Sequence, residues 1–183
     1  MGAGNPPKPE HAAYIEIKDG PESLVIDKKR QRAFTHLWKS TTLAIDLHTR
    51  AIVGKWRNGC AGSRGIALDE ARGFLFAGCA EGKAVALAID HDGKLVGTID
   101  SGKGVDVIAY SPSLMHLYVP GAASATLAVI GVAQTGELTA LASVPTAEGA
   151  HCVTADDRGG AWVCDPQEGR LLFLKDDFAP RTK

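Results

Sequence analysis

The chain has 183 residues, of which 45% are hydrophobic and 22% charged, the balance of a soluble folded protein and not of a disordered tail. A formal net charge of −1 supplies no basic excess for a polyanion, so nucleic acid is not an expected partner, and no apolar run approaches the ~20 residues of a membrane span. Glycine (21 residues) and alanine (27) are abundant while Phe, Trp and Tyr number 5, 3 and 3, so the chain turns often and packs closely.

From the N-terminus, Met1 to Glu10 lacks the apolar core of a signal peptide, and residues 1–12 read as a flexible leader. Ala13-Tyr14-Ile15-Glu16-Ile17 alternates as a strand does, over 13–18. A fixed period then begins. Apolar stretches ending in a small polar residue recur at Leu24 to Asp27, Ile66 to Asp69, Ile108 to Ser111 and Val153 to Asp156, their ends 42, 42 and 45 residues apart. Aromatic residues follow in register at Phe34, Phe76, Tyr118 and Trp162, 42, 42 and 44 apart. A third apolar series occupies Leu43 to Leu47, Val85 to Ile89, Leu127 to Val132 and Leu171 to Leu174. After polar turns at residues 48–50, 92–94 and 135–137, the segments Ala51 to Trp56, Leu95 to Ile99 and Leu138 to Val144 complete four strands in each of the first three repeats.

Four short strands in about 42 residues are the signature of a β-propeller blade. Helical repeats of that length are excluded because turn-forming residues interrupt the pattern every 8 to 12 residues. The expected fold is all-β, a propeller spanning 13–178 with blades at about 21–57, 63–100, 105–145 and 150–175, and a tail at 179–183. The fourth repeat supplies only three strands, so the strand at 13–18 is expected to complete the last blade and leave no open edge. Closure between two chains gives an eight-bladed ring; closure within one chain gives four blades. Eight blades turn about 45° each and four about 90°, and small side chains suit the shallower wedge, so a twofold homodimer is the expected assembly and a closed four-bladed monomer the alternative.

The chain resembles the YVTN-repeat (YncE-like) propeller proteins. Phe34-Thr35-His36-Leu37, Phe76-Ala77-Gly78-Cys79, Tyr118-Val119-Pro120-Gly121 and Trp162-Val163-Cys164-Asp165 stand where that family has its Tyr-Val-Thr-Asn-like strand. Gly20 to Asp27, Leu43 to Arg50 and Gly104 to Tyr110 resemble its later blades. The family has about seven blades and often an export signal, so the resemblance is to its C-terminal half and implies no defined reaction.

In an antiparallel blade the entry to the first strand and the loop after the second lie on one face. Glu22, Arg64, Asp106 and His151 precede the four first strands at matching positions and are expected to ring the channel mouth, joined there by His36. Carboxylates, an imidazole and a guanidinium in that arrangement suit a small polar or anionic ligand. Glu22, Asp106 and His151 also offer oxygen and nitrogen donors to a divalent metal, the one cofactor considered. Alternatively, these charges only neutralise one another at a solvated rim.

Cys152 and Cys164 fall opposite each other on adjacent strands, and Cys60 lies within reach of Cys79, so two disulfides are expected in an exported protein; in a reducing cytosol the four are thiols or metal ligands. That choice also decides between periplasm and cytoplasm. Gly97 to Lys103 matches a phosphate-binding loop up to its lysine, but Gly104 replaces the Ser or Thr and no helix follows. Gly62-Ser63-Arg64-Gly65 has Ala61 where a nucleophile elbow needs glycine. The expected function is therefore a non-enzymatic binding or interaction scaffold. The alternative is a metal-dependent lactonase-like hydrolase using the same residues, with His151 or His36 as general base.

Overall fold

The computed structural model describes residues 10–180. Four antiparallel sheets follow one another along the chain. The first blade is β1 (Pro21–Asp27), β2 (Arg32–Leu37), β3 (Thr41–Asp46) and β4 (Ile52–Arg57). The second is β5 (Ser63–Asp69), β6 (Phe74–Cys79), β7 (Lys83–Ala88) and β8 (Lys94–Asp100), with a 3-10 turn at Ile89–His91. The third is β9 (Ala109–Ser111), β10 (His116–Gly121), β11 (Thr126–Val132) and β12 (Leu138–Pro145). The fourth is β13 (Val153–Ala155), β14 (Gly160–Asp165) and β15 (Arg170–Lys175). Each strand pairs with the next in sequence, as short turns require. The repeat extends to irregularities: a bulge lies at Ala44/Ile45, Ala86/Leu87 and Val129/Ile130, the same step of three blades.

First strands lie innermost, with β1 packed on β5, β5 on β9 and β9 on β13. Blades stack face to face through alternate residues of each strand, because successive side chains point to opposite faces. Phe34 is wholly buried against the next blade's Ile66, Leu75, Leu87 and Ile89. Phe76 is wholly buried toward the third blade and Tyr118 toward the fourth. Ala84, Ala86, Ala88 and Ala128 fill the second wedge. Alanine is abundant because neighbouring sheets approach too closely for larger side chains. The backbone itself is in contact at Gly65, where an added Cβ would stand 2.5 Å from the Asp106 carbonyl oxygen.

Polar clasps link successive blades on the face opposite the channel mouth. Arg30 holds Asp27 of its own blade at 3.0 Å, and reaches Asp90 of the second blade with two hydrogen bonds of 2.7 and 2.6 Å. Asp90 thereby holds the Arg30 guanidinium well above its usual pKa, against the opposing effect of burial. Arg72 bonds Asp69 and reaches Tyr110 of the third blade, whose hydroxyl donates to Asp69 at 2.8 Å. Burial and then the Asp69 carboxylate raise the Tyr110 pKa. Ser113 donates to the Asp157 carbonyl of the fourth blade at 2.9 Å.

Two features of the expected closure differ. Residues 13–17 form no strand in the chain, and the sheet of β13, β14 and β15 keeps three strands with one edge of β15 free. They lie instead along the outer face of the first blade, where Glu10 to Ala13 and Ile15 face Leu24, Ala33, Ile45 and Leu47 across a cavity of about 480 Å3. Among the described residues the first strands pack in chain order from β1 to β13, and Trp162 and Phe173 of the fourth blade stay exposed. The sheets make an arc whose first and last blades each have one face without a neighbouring blade. A strand needs a partner edge, and residues 13–17 pair with none among the described residues.

Candidate functional site

The channel-mouth face gathers the entries to the first strands. Glu22 sits in β1 opposite His36, at a bulge before Val25 that is repeated in β5 between Ser63 and Ile66. Arg64 follows one blade later, half-buried. Its neighbour Gly65 abuts the Asp106 backbone, and the Val107 N–H donates to the His151 carbonyl at 3.1 Å. Arg64, Asp106 and His151 are thus carried on consecutive, touching strand entrances. His151 is exposed, with Nδ1–H donating a 2.7 Å hydrogen bond to the Gly149 carbonyl.

His36 does not stand at the mouth. It shares the orientation of Phe34, two residues before it, and is wholly buried between the first two blades. Its Nδ1 shares a 2.9 Å hydrogen bond with Thr42 Oγ1, which also accepts from Asn58 at 3.1 Å, and Asn58 donates on to Ser63 at 2.9 Å. Nε2 turns toward the backbone of Phe76 and Gly65 without a well-formed hydrogen bond. Burial pushes the imidazole pKa down to about 4, so it is neutral at pH 7 and cannot serve as a solvent-facing ligand or base.

Nor does Arg64 point its charge at the channel alone. Its guanidinium lies 5.3 Å from the ring centroid of Trp38, and it donates to the Ser63 carbonyl at 2.9 Å. Trp38, 54% exposed, forms the β2–β3 turn on this same face. Gly20 makes room for it: at φ +67° and with Trp38 Nε1 only 2.7 Å from where a Cβ would stand, a side chain there would be strained and would displace the indole. Beside the indole opens a cavity of about 620 Å3 lined by Asp19, Leu37, Lys39, Thr41 and Lys55. An indole and two ammonium groups, with one carboxylate from Asp19, line this cavity, and Arg64 packs on the same indole; together they can hold a ring-bearing anion by stacking and charge. Sequence reasoning missed Trp38 and both lysines. The available signal was an aromatic residue in a polar turn at the mouth end of a second strand, following Gly20 of the preceding turn.

Among the described residues no three His, Cys, Asp or Glu side chains gather as a metal-binding cluster. The structure joins Cys60 to Cys79 and Cys152 to Cys164, with Cα separations of 5.2 and 5.5 Å. The first bridge ties the loop entering the second blade to the end of β6. The second joins the entry of β13 to β14, both beside the mouth.

No family model and no curated protein sequence matches the chain. Solved structures do. A chain of the mitotic checkpoint complex superposes with a TM-score of 0.72 at 13% identity, covering 85% of this chain and 50% of its own length. The WD40 repeats of RRP9 give 0.70 at 11% identity, covering 87% and 52%. A Bacteroides fragilis protein named provisionally as a 6-phosphogluconolactonase gives 0.64 at 18%, covering 73% and 41%. The chain thus spans about half the length, or less, of these structures. At such identities the likeness shows the fold alone, and that fold is a β-propeller.

Proposed function

We propose that the chain is a non-enzymatic propeller scaffold, related to the YVTN-repeat proteins, that binds a small ring-bearing organic anion on its channel-mouth face. The observation that carries the reading is the Arg64–Trp38 stack beside a cavity with Lys39 and Lys55. Asp106 and His151 extend the polar surface toward the channel axis. A second copy completes the ring: Phe34, Phe76 and Tyr118 are each buried by the following blade, whereas their counterpart Trp162 is 41% exposed at the end of the arc. Two disulfides support an oxidising compartment.

Titration of benzoate and glucose 6-phosphate, two ring-bearing anions, followed by tryptophan fluorescence and calorimetry, tests the site. Binding by either, weakened at least about tenfold by Trp38→Ala, is the expected result; a response unchanged by that substitution refutes the site. The same protein incubated with δ-gluconolactone and millimolar Mg2+ or Ca2+ should hydrolyse it no faster than buffer. Metal-dependent hydrolysis lost in Asp106→Ala would replace the scaffold with a lactonase.

A further inference from the structure

The two bare ends of the arc are complementary by the rule that packs the interior. The second blade receives Phe34 on Ile66, Leu68, Leu75, Leu87 and Ile89. One period of 42 residues earlier, Leu24, Ile26, Ala33, Ile45 and Leu47 present the same apolar set on the first blade, facing away from the second. At the other end Trp162 and Phe173, with ring centroids 4.6 Å apart, project with Leu171 from the fourth blade. No neighbouring blade covers them among the described residues. One end is a donor face without an acceptor, and the other an acceptor face without a donor.

The acceptor is already occupied, and poorly. Residues 10–15 cross it over a cavity of about 480 Å3, with Tyr14 83% exposed. Between residues 10 and 18 no backbone group enters a strand pairing. A blade cannot stack on this face while the segment lies there. Meanwhile the fourth sheet has a free edge along β15, and beside that edge a groove of about 480 Å3 is lined by Leu127, Val144, Val163, Leu172 and Leu174. An unpaired edge seeks a strand, and Ala13 to Ile17 has the alternation of one.

We propose that residues 13–17 act as an exchangeable strand: they cap the first blade of a lone chain, and in the pair they leave it and add to the β15 edge of a second copy. The move uncovers Leu24, Ala33 and Ile45 for the second copy's Trp162 and Phe173. It also gives the fourth blade its missing strand, with Ile15 and Ile17 on one face. Glu16 then lies along a strand that begins at Arg170 and ends at Lys175. Two such junctions related by a twofold axis close eight blades, because each chain offers one donor and one acceptor end. Release of the cap and docking of the blade are one event.

This inference rests on the two-chain ring, and the experiment separates the two. Light scattering at tens of micromolar should give twice the 19.2 kDa of one chain. Ile15→Pro, made together with Tyr14→Pro so that one of the two lost N–H groups faces β15 whichever register is taken, disables addition to the edge at residues whose backbone enters no strand pairing in the lone chain, and should shift the mass to that of one chain or weaken pairing at least about tenfold. Far-UV circular dichroism checks that it stays folded. Hydrogen exchange supplies a second reading: β15 amides pointing away from β14 should exchange slowly in the wild-type dimer and fast in the double variant. A wild-type mass of 19.2 kDa overturns both the ring and the exchange. A dimer undiminished in the double variant, with fast β15 exchange in both proteins, leaves the ring and overturns the exchange alone.

Discussion

Acid should loosen the junction of the first two blades through His36. The folded chain holds this imidazole buried, with its pKa down at about 4 from the ordinary 6.5, and the unfolded chain restores the ordinary value. A depressed histidine pKa means that the unfolded state takes up the proton first as pH falls. The stability associated with neutral His36 is therefore complete above pH 6.5 and declines between 6.5 and about 4. At about 1.4 kcal/mol for each pH unit, the full decline is roughly 3 kcal/mol, a large part of the 5–15 kcal/mol typical of a folded domain. Urea unfolding at pH 7.5, 6.5, 5.5 and 4.5 measures it in wild type and in His36→Gln, which keeps a polar group near Thr42 but does not titrate. The carboxylates titrate alike in both proteins, so the difference isolates His36. Its wild-type slope should exceed that of the variant by about 1 kcal/mol per pH unit over the acid half of the range. Parallel curves would show that His36 is solvated, and the buried reading would fall.

Further outcomes follow from the packing. Phe76→Ala empties the wholly buried heart of the second wedge and should lower stability by about 3–5 kcal/mol in urea unfolding, whereas Phe173→Ala on the bare face of a lone chain should cost under about 1 kcal/mol. Gly65→Ala places a Cβ 2.5 Å from the Asp106 carbonyl oxygen, forcing two blades apart for about 1–3 kcal/mol; unchanged stability would show that the strands do not touch there. The unreduced protein unfolded in urea should show no free thiol, and reduction should lower stability by about 3 kcal/mol per bridge, as expected for bonds spanning 19 and 12 residues. Four titratable thiols would remove both bridges.

The repeat was legible because a blade leaves a strong imprint on sequence. Strand alternation, aromatic register and turn residues recur together at 42 residues, and the strands containing Phe34, Phe76, Tyr118 and Trp162 lie where that period puts them. Residues 13–17 carry the alternation of a strand but pair with nothing in the single chain, because alternation reports what a segment can do while pairing depends on an edge within reach. His36 stands away from the mouth for a related reason. Position along the strand placed it at the mouth, yet its side shared with Phe34 turned it into the wedge, and Thr42 and Asn58 there gave it polar company. Parity within β2 carried that information. Trp38 carries no charge and no repeat partner to mark it in the sequence, while the cavity is organised by its indole, which Gly20 and Arg64 frame.

The clasps on the opposite face give the chain a direction in time. Arg30, Arg72 and Ser113 each reach the blade made after their own, and the Asp90 that receives Arg30 lies 60 residues downstream. At about 5–20 residues per second, a ribosome completes that acceptor roughly 3–12 s after the guanidinium emerges. Until then Arg30 can hold its place on Asp27, three residues away. Each finished sheet thus offers a prepared hook to the next one leaving the tunnel, and the arc can be assembled in the order in which it is translated.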